Sequence, residues 1–388
     1  MKICDITQSY TPTSGGIRRY LHEKQAYIKN NPEHEHVLII PGESDTILKD
    51  ANTKVYTIGA KHVPGCEPYR FTFRLDKVNA ILQEENPDII ELGSAYVMPH
   101  VAFHFKKKKP CSLVGFYHTD FPGAYVEPVV RNMTGQQMAQ RARKAAEKYA
   151  KAIYNKCDIT IASTSVHHEL LTNIGIERIA KVHLGVDLDT FHPGHRDEVF
   201  RASLGLKEND VLMIYAGRLD IEKRVEMLLQ AFHKISDEFP GQLLMVGAGP
   251  LQPMVEEYAN KDVKIQYRPY QTQKEDLARM LASSDIYVSA GPHETFGLSI
   301  IEAQASGLCV LGVAAGALKE RVPSHVGLLS EADNMPMMAE QMLALSRNGH
   351  KEKGRNARTL VEQLSWSNTF QNLFEIYHNL HQNRLYVN

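Results

Sequence analysis

The sequence predicts an α/β protein made of two Rossmann-like domains, each built on its own parallel sheet. Three observations carry this expectation: a length of 388 residues, an alternation of short apolar runs with longer helical patterns, and an aperiodic stretch near mid-chain. A chain of this length exceeds one ordinary core and fits two domains of about 150–200 residues. The runs Ile3–Ile6, Val37–Ile40, Ile89–Leu92, Leu113–Tyr117 and Ile159–Ala162 read as buried strands. Val211–Ala216, Leu243–Val246, Ile286–Ser289 and Val310–Val313 continue the series. Helical stretches Gly16–Lys29, Arg74–Glu85, Gln136–Lys156, Arg224–Glu238 and Lys274–Ala282 lie between them. Strands separated by helices pair in parallel and are covered on both faces, which is why they appear as unbroken apolar runs. Roughly ten strands are too many for one comfortable sheet and suit two.

The join is expected between Asp187 and Leu206, where Pro193, Gly194 and mixed charge break any period before Val211 opens the second sheet. Beyond Trp366, Phe370, Leu373, Phe374, Tyr377 and Leu380 recur at three- and four-residue steps, the apolar face of a closing helix. The expected division is therefore 1–190, 191–368, and a closing helix over 369–388.

Composition narrows the function. A hydrophobic content of 43% with 23% charged residues describes a folded globular chain. A net charge of −1 gives no whole-protein reason to expect nucleic acid as a partner. Cys4, Cys66, Cys111, Cys157 and Cys309 are far apart, with neither zinc spacing nor a disulfide framework, as suits a reducing cytosol. Asp5 arrives too early for the apolar core of a signal peptide, and no run approaches the ~20 apolar residues of a membrane-spanning helix. The expectation is a cytoplasmic protein.

The most informative segment runs from His293 to Glu302, HETFGLSIIE, between a strand and an apolar helix that stops at Gly307. A helix start after a strand offers free backbone N–H groups to an anion, and Gly297 lets a ligand come close. Glu294 and Glu302 flank that start, and ionised carboxylates accept hydrogen bonds from sugar hydroxyls. Phosphate on amides with hydroxyls on carboxylates describes a nucleotide sugar. Taken alone, the two glutamates are ordinary solvated side chains. Their company changes that reading. In Gly217-Arg218-Leu219-Asp220-Ile221-Glu222-Lys223, a strand end meets two cations of complementary kind, a planar fork and a mobile point charge, both suited to a diphosphate. Ser14-Gly15-Gly16 opens a helix after the first strand, and Phe116-Tyr117-His118-Thr119-Asp120 ends another strand of the first domain.

These four elements, in this order, resemble the retaining GT-B glycosyltransferases of family 4, over nearly the whole chain. The Glu294/Glu302 pair with Phe296-Gly297 between is the most specific part. Gly217-Arg218-Leu219 with Lys223, the turn Val246-Gly247-Ala248-Gly249-Pro250, and Gly185-Val186-Asp187 with Phe191 complete the pattern. Leu184 departs from it, since the family commonly has asparagine there. The resemblance implies two Rossmann-like domains facing each other across a deep cleft, with a C-terminal helix crossing back to the first domain. It implies catalytic roles for His118, Arg218, Lys223 and Glu294. Arg218 and Lys223 would hold the donor diphosphate, approached also by Gly15 and Gly16. Glu294 would take sugar hydroxyls, the amides of Phe296, Gly297, Leu298 and Ser299 the sugar and β-phosphate, and Glu302 the ribose. His118 would face the sugar near C6, with Arg268 and Tyr270 beside the base.

The implied reaction moves mannose, glucose or N-acetylglucosamine from a UDP- or GDP-hexose to a hydroxyl of a lipid or glycan, with retention and without a metal or other cofactor. No first-domain motif supplies a carboxylate nucleophile about 5 Å from its partner, as a two-step route would need, so same-face transfer is favoured. An epimerase of the same fold and a non-catalytic nucleotide-sugar binder are the alternatives. A dinucleotide enzyme is disfavoured because Gln252 stands where a third glycine would belong. Lys61–Arg74 mixes cations with aromatics and, together with the lysine run Lys106–Lys109, is a candidate for an anionic membrane surface at the inner face, with a solvated loop and a lysine-rich strand approach as the plain alternative. The family includes lipid-modifying members, several of which the run His118–Pro122 resembles.

Overall fold

The computed structural model describes residues 1–11, 15–62 and 69–387, the last three by backbone alone. Ser14 of the glycine loop and the central part, residues 63–68, of the basic–aromatic segment lie outside the described residues. The chain divides into two compact units, Met1–His183 with Ser367–Asn388, and Leu184–Trp366.

Among its described residues the first unit holds eight strands: β1 (Lys2–Ile6), β2 (Glu35–Gly42), β3 (Thr46–Asp50), β4 (Thr53–Gly59), β5 (Ile89–Leu92), β6 (Ser112–Phe116), β7 (Ile159–Ala162) and β8 (Ile179–Lys181). Their order in the sheet is β3-β4-β2-β1-β5-β6-β7-β8, parallel throughout except for the β3–β4 pair. The second unit holds six: β9 (Val211–Ala216), β10 (Gly241–Val246), β11 (Ile265–Arg268), β12 (Ile286–Val288), β13 (Cys309–Val313) and β14 (Gly327–Ser330). They lie in the order β11-β10-β9-β12-β13-β14, all parallel.

All nine strands expected from apolar runs are present, and five more appear. Of the additional strands, β3, β8, β11 and β14 are the four sheet edges. An edge strand packs less apolar surface than a central one, so it lacks the continuous run by which the others are recognised. The unit boundary falls at Leu184, earlier than the aperiodic stretch suggests. Val186 pairs with Ser365, and a side chain at Gly185 would meet the Trp366 backbone nitrogen at 2.2 Å, so this segment is tied into the second unit.

In each sheet the strand order reverses once, between β1 and β5 in the first unit and between β9 and β12 in the second. The loops leaving the carboxyl ends of strands diverge at such a point and leave a crevice where open α/β sheets bind ligands.

A buried polar cluster lies at the first unit's reversal. Asp5 of β1 and Glu91 of β5 are register partners, and both are almost fully buried. Lys24, with no exposed surface, reaches down from helix Gly16–Lys29 to Asp5 at 2.9 Å and Glu91 at 3.2 Å. His36 Nε2 meets Asp5, and its Nδ1 is buried without a partner, so a proton there would be buried unpaired. The closing helix Trp366–Val387 joins through Tyr377, whose hydroxyl receives a bond from Lys24 at 2.8 Å and donates to Glu91. Phe370 and Phe374 pack tilted against Tyr27, with ring centroids at 5.3 and 5.1 Å, as the helix's apolar stripe requires.

Burial pushes the Glu91 carboxyl up to about 8, with Asp5 adding to the rise and Lys24 opposing it. Burial also works against ionised Asp5, but Lys24 and His36 hold it below the usual carboxylate range. The folded protein thus keeps a proton on Glu91 that the unfolded chain releases above its ordinary value. Stability contributed by that proton is complete below about pH 4.5 and is lost as pH rises toward about 8. Denaturant midpoints are expected to fall over that window in the wild type and to fall less in Glu91→Gln. Parallel profiles for the two proteins would place the proton elsewhere.

Candidate functional site

In the second unit the structure brings Arg218, Lys223 and Glu294 together at the crevice between β9 and β12. Arg218 follows directly from β9, and the Tyr215 hydroxyl donates to its carbonyl at 2.6 Å. Asp220 caps the short turn Ile221–Lys223, its carboxylate accepting from the Lys223 amide at 3.1 Å, which sets the lysine's direction. Arg218 is braced by Asp220 at 2.7 Å and by Glu222 at 2.8 Å. Lys223 pairs with the Glu294 carboxylate across 71 residues of sequence. Two cations and three carboxylates therefore share one crevice. Burial disfavours charge on Lys223, yet Glu294 and Glu222 outweigh it and raise its ammonium above the ordinary lysine value. Asp220 is raised, first by burial, against the pull of Arg218.

The loop bearing Glu294 is fixed by its backbone. The Ala317 amide donates to the Glu294 carbonyl at 2.7 Å, and a side chain at Gly316 would come within 2.5 Å of the same oxygen. Gly297 then starts helix Leu298–Ala305 with φ of 81°, a left-handed conformation that favours glycine, and an added Cβ would strike Ile300 at 2.8 Å. The first amides of this helix have no intrahelical acceptor and remain for an anion. The Phe296 ring is buried under the Arg321 guanidinium at 4.2 Å, so what Phe296 presents is its amide. Glu302 lies one turn inside the helix, almost buried, its carbonyl accepting from Ser306 at 2.9 Å. Leu298 and Ser299 are half-buried at the helix start. Arg268 ends β11, where its carbonyl accepts from the Gly247 amide at 3.1 Å, and Tyr270 is exposed two residues on.

The first unit places His118 after β6, stacked on Phe116 at 3.9 Å and beside Tyr20 at 5.0 Å. Burial pushes its imidazole down to about 3, so at neutral pH it is an uncharged hydrogen-bonding group. His118 shares a pocket with Ser9, Ser94, Tyr96, Thr119 and Phe121 at the first unit's strand reversal. Gly15 and Gly16 are exposed at the start of helix Gly16–Lys29, and a side chain at Gly15 would meet no protein atom within 4 Å.

Sequence reasoning missed the acidic braces Asp220 and Glu222, although an aspartate two residues after Arg218 and three before Lys223 is a recognisable cap. It also missed the Ser9–Ser94 pocket wall, for which no linear signal exists. Of the lysine run, Lys106 is bound by Asp158 at 2.6 Å, which leaves Lys107 and Lys108 as its exposed members. Among the described residues, no group of three or more His, Cys, Asp or Glu side chains is placed to hold a metal ion. Among the same residues, no helix is long and apolar enough to cross a membrane.

Two family descriptions match this chain in tandem: Glycosyltransferase Family 4 over residues 14–190 and Glycosyl transferases group 1 over residues 196–359. A GDP-mannose-dependent alpha-(1-6)-phosphatidylinositol dimannoside mannosyltransferase of Mycobacterium tuberculosis is 27% identical over 371 residues, covering 94% of this chain and 93% of the relative. A GDP-mannose-dependent alpha-mannosyltransferase of Corynebacterium glutamicum is 28% identical over 385 residues, 97% of this chain and 88% of the relative. Among solved structures, sucrose-phosphate synthase from Thermosynechococcus elongatus aligns with a TM-score of 0.79 at 20% identity, covering 98% of this chain and 99% of that one.

Proposed function

Because this chain belongs to the GT-B glycosyltransferases of family 4, we propose that its donor is GDP-mannose and its acceptor an anionic glycolipid of the phosphatidylinositol class. As a member of that family it is a hexosyltransferase working from a nucleotide sugar. The finer reading draws on two relatives named for GDP-mannose, one of them also for a phosphatidylinositol mannoside. The observation that carries it is the meeting of Arg218, Lys223 and Glu294 where the second sheet reverses, beside an open helix start.

Arg218 and Lys223 take the diphosphate, exchanging carboxylate partners for phosphate oxygens, and so supply the positive charge that a metal would otherwise bring. Glu294 accepts from mannose hydroxyls, the amides of Phe296–Ser299 face the β-phosphate and sugar, and Glu302 accepts from the ribose. Arg268 and Tyr270 flank the base. In the first unit, Gly15 and Gly16 open their helix to a ligand, and neutral His118 bonds a hydroxyl. Gly15 supports this reading because neither its φ nor its packing demands glycine. The bond from the anomeric carbon to the phosphate oxygen breaks as the acceptor oxygen bonds the same face. The acceptor proton passes to the leaving phosphate, so configuration is retained. GDP-mannose is α-linked, and both relatives are named as alpha-transferases, which supports retention. The protein works on its lipid acceptor at the cytoplasmic face of the membrane as a peripheral enzyme.

The test is a thermal-shift series with GDP-mannose, UDP-glucose and UDP-N-acetylglucosamine, each with and without a chelator. A ligand that binds the native state at 100-fold its Kd adds about 2.7 kcal/mol. GDP-mannose is expected to raise the midpoint most, chelator or not. An equal or larger shift with either uridine sugar would overturn the donor assignment, and loss of the shift with chelator would overturn metal independence.

A further inference from the structure

Twelve large apolar side chains are strongly exposed among the described residues, and four of them fall within one short segment. Tyr125, Val129 and Met133 follow one another at four-residue steps through the wide turn Pro122–Val126 and helix Glu127–Thr134, with exposures of 37%, 57% and 78%. That spacing puts them on one stripe. Met138, 46% exposed, extends the group into helix Gln136–Tyr154. Exposed apolar groups occur singly on most soluble surfaces; a contiguous stripe marks something that covers it.

The charge around this stripe selects what covers it. Residues 125–151 contain six cations, Arg131, Arg141, Arg143, Lys144, Lys148 and Lys151, against two carboxylates, Glu127 and Glu147. Both carboxylates are already paired, Glu127 with Arg131 and Arg143, and Glu147 with Arg143. Arg141, Lys144 and Lys148 are exposed, recur at three- and four-residue steps on one helix face, and form no ion pair among the described residues. Arg141 lies against the Met138 sulfur at 3.7 Å, so one of the cations meets one of the exposed apolar side chains. Apolar side chains beside an unneutralised row of cations fit an interfacial helix on an anionic bilayer. They fit a protein partner less well, because an interface core is depleted in charge.

We propose that Tyr125, Val129, Met133 and Met138, with Arg141, Lys144 and Lys148, dock this protein on the surface of an anionic lipid bilayer. The proposal deepens the lipid-acceptor reading and rests on it only for the source of the lipid. The surface is distinct from the Lys61–Arg74 and Lys106–Lys109 segments. It adjoins the His118 pocket within one stretch of chain, since Thr119 and Phe121 line that pocket and the stripe begins at Tyr125. A headgroup held at the stripe is thereby kept close to the hydroxyl-binding wall.

Vesicle flotation tests this with phosphatidylcholine vesicles, with and without phosphatidylglycerol, at low salt. The wild type is expected to float with the mixed vesicles and far less with phosphatidylcholine alone. Each cation beside an anionic surface contributes roughly a fivefold factor in partition, so reversing three in Arg141→Glu/Lys144→Glu/Lys148→Glu should lower it by on the order of 100-fold or more. Val129→Asp/Met133→Asp should lose binding even though every cation remains. Both variants should keep the full GDP-mannose thermal shift of the wild type, because all five positions are exposed and lie outside the donor crevice. Flotation of either variant like the wild type would overturn the proposal. So would a lipid-free dimer that Val129→Asp/Met133→Asp abolishes, which would put a second copy of the chain on the stripe. A wild type that floats in this variant-sensitive way but shows no shift with GDP-mannose would leave the docking surface standing and remove the donor reading.

Discussion

Lys223→Ala is expected to lower kcat by on the order of 10²–10³-fold, the cost of removing one preorganised donor from a developing anion. Nucleotide affinity should fall by much less. The asymmetry follows from where the charge appears. In the proposed arrangement the ground-state diphosphate is already met by Arg218 and the helix amides, and its extra negative charge would develop as the glycosidic bond breaks. Lys223 is a mobile point charge on a flexible stem, raised by Glu294 and Glu222 and therefore firmly cationic, so it can follow that change. Glu294→Ala is expected to remove transfer as well, by loss of the sugar contact and by release of Lys223 from its anchor. Because the two side chains touch, the double variant should cost less than the sum of the singles. Steady-state kinetics of both singles and the double measure this, with thermal midpoints to show that each remains folded. Lys223→Ala with unchanged kcat and a raised KM would assign the lysine to uniform binding instead. Full turnover by Glu294→Ala would remove the donor site from this crevice altogether.

The central strands and the loops that carry Arg218, Lys223 and Glu294 are legible in the sequence because each has a local cause. A strand buried on both faces is apolar along most of its length, and β6, β9 and β13 are so written. Gly297 is required by its own φ, and the Glu294–Glu302 spacing follows from a loop running into a helix. Edge strands such as β3, exposed at every position, carry no such mark. What remains hidden is produced by register and by contacts between distant segments. No spacing rule joins Lys223 to a carboxylate 71 residues away, and Gly316 packs from a third loop against the backbone that carries that carboxylate. The buried cluster left one trace. Asp5 in KICDI and Glu91 in IIEL are charges inside apolar strands, a combination that burial forbids unless partners exist. The sequence does not say that the partners are Lys24, His36 and Tyr377, because only the β1–β5 register and the closing helix bring them together.

Lys24→Met should destabilise the first unit by about 3–5 kcal/mol, the cost of breaking a buried ion pair from one side. Methionine keeps most of the apolar stem, so the loss isolates the ammonium from the packing around it. Lys24 has no exposed surface and touches Asp5, Glu91 and the Tyr377 hydroxyl, and none of these can turn to water when it is gone. Asp5 would be left as a buried anion beside Glu91 with His36 as its remaining basic partner, and the closing helix would lose the tie from Lys24 to the Tyr377 hydroxyl. Removing the second charge as well should recover part of the loss, so Lys24→Met/Asp5→Asn is expected to be more stable than Lys24→Met. That ordering distinguishes an uncompensated charge from simple loss of packing, which a further substitution would only worsen. Chemical denaturation of the three proteins, followed by a probe in the first unit, gives the comparison. A Lys24→Met midpoint equal to that of the wild type would mean that the ammonium stabilises nothing. A double variant less stable than Lys24→Met would mean that Asp5 is held by its packing and by His36, not by the lysine.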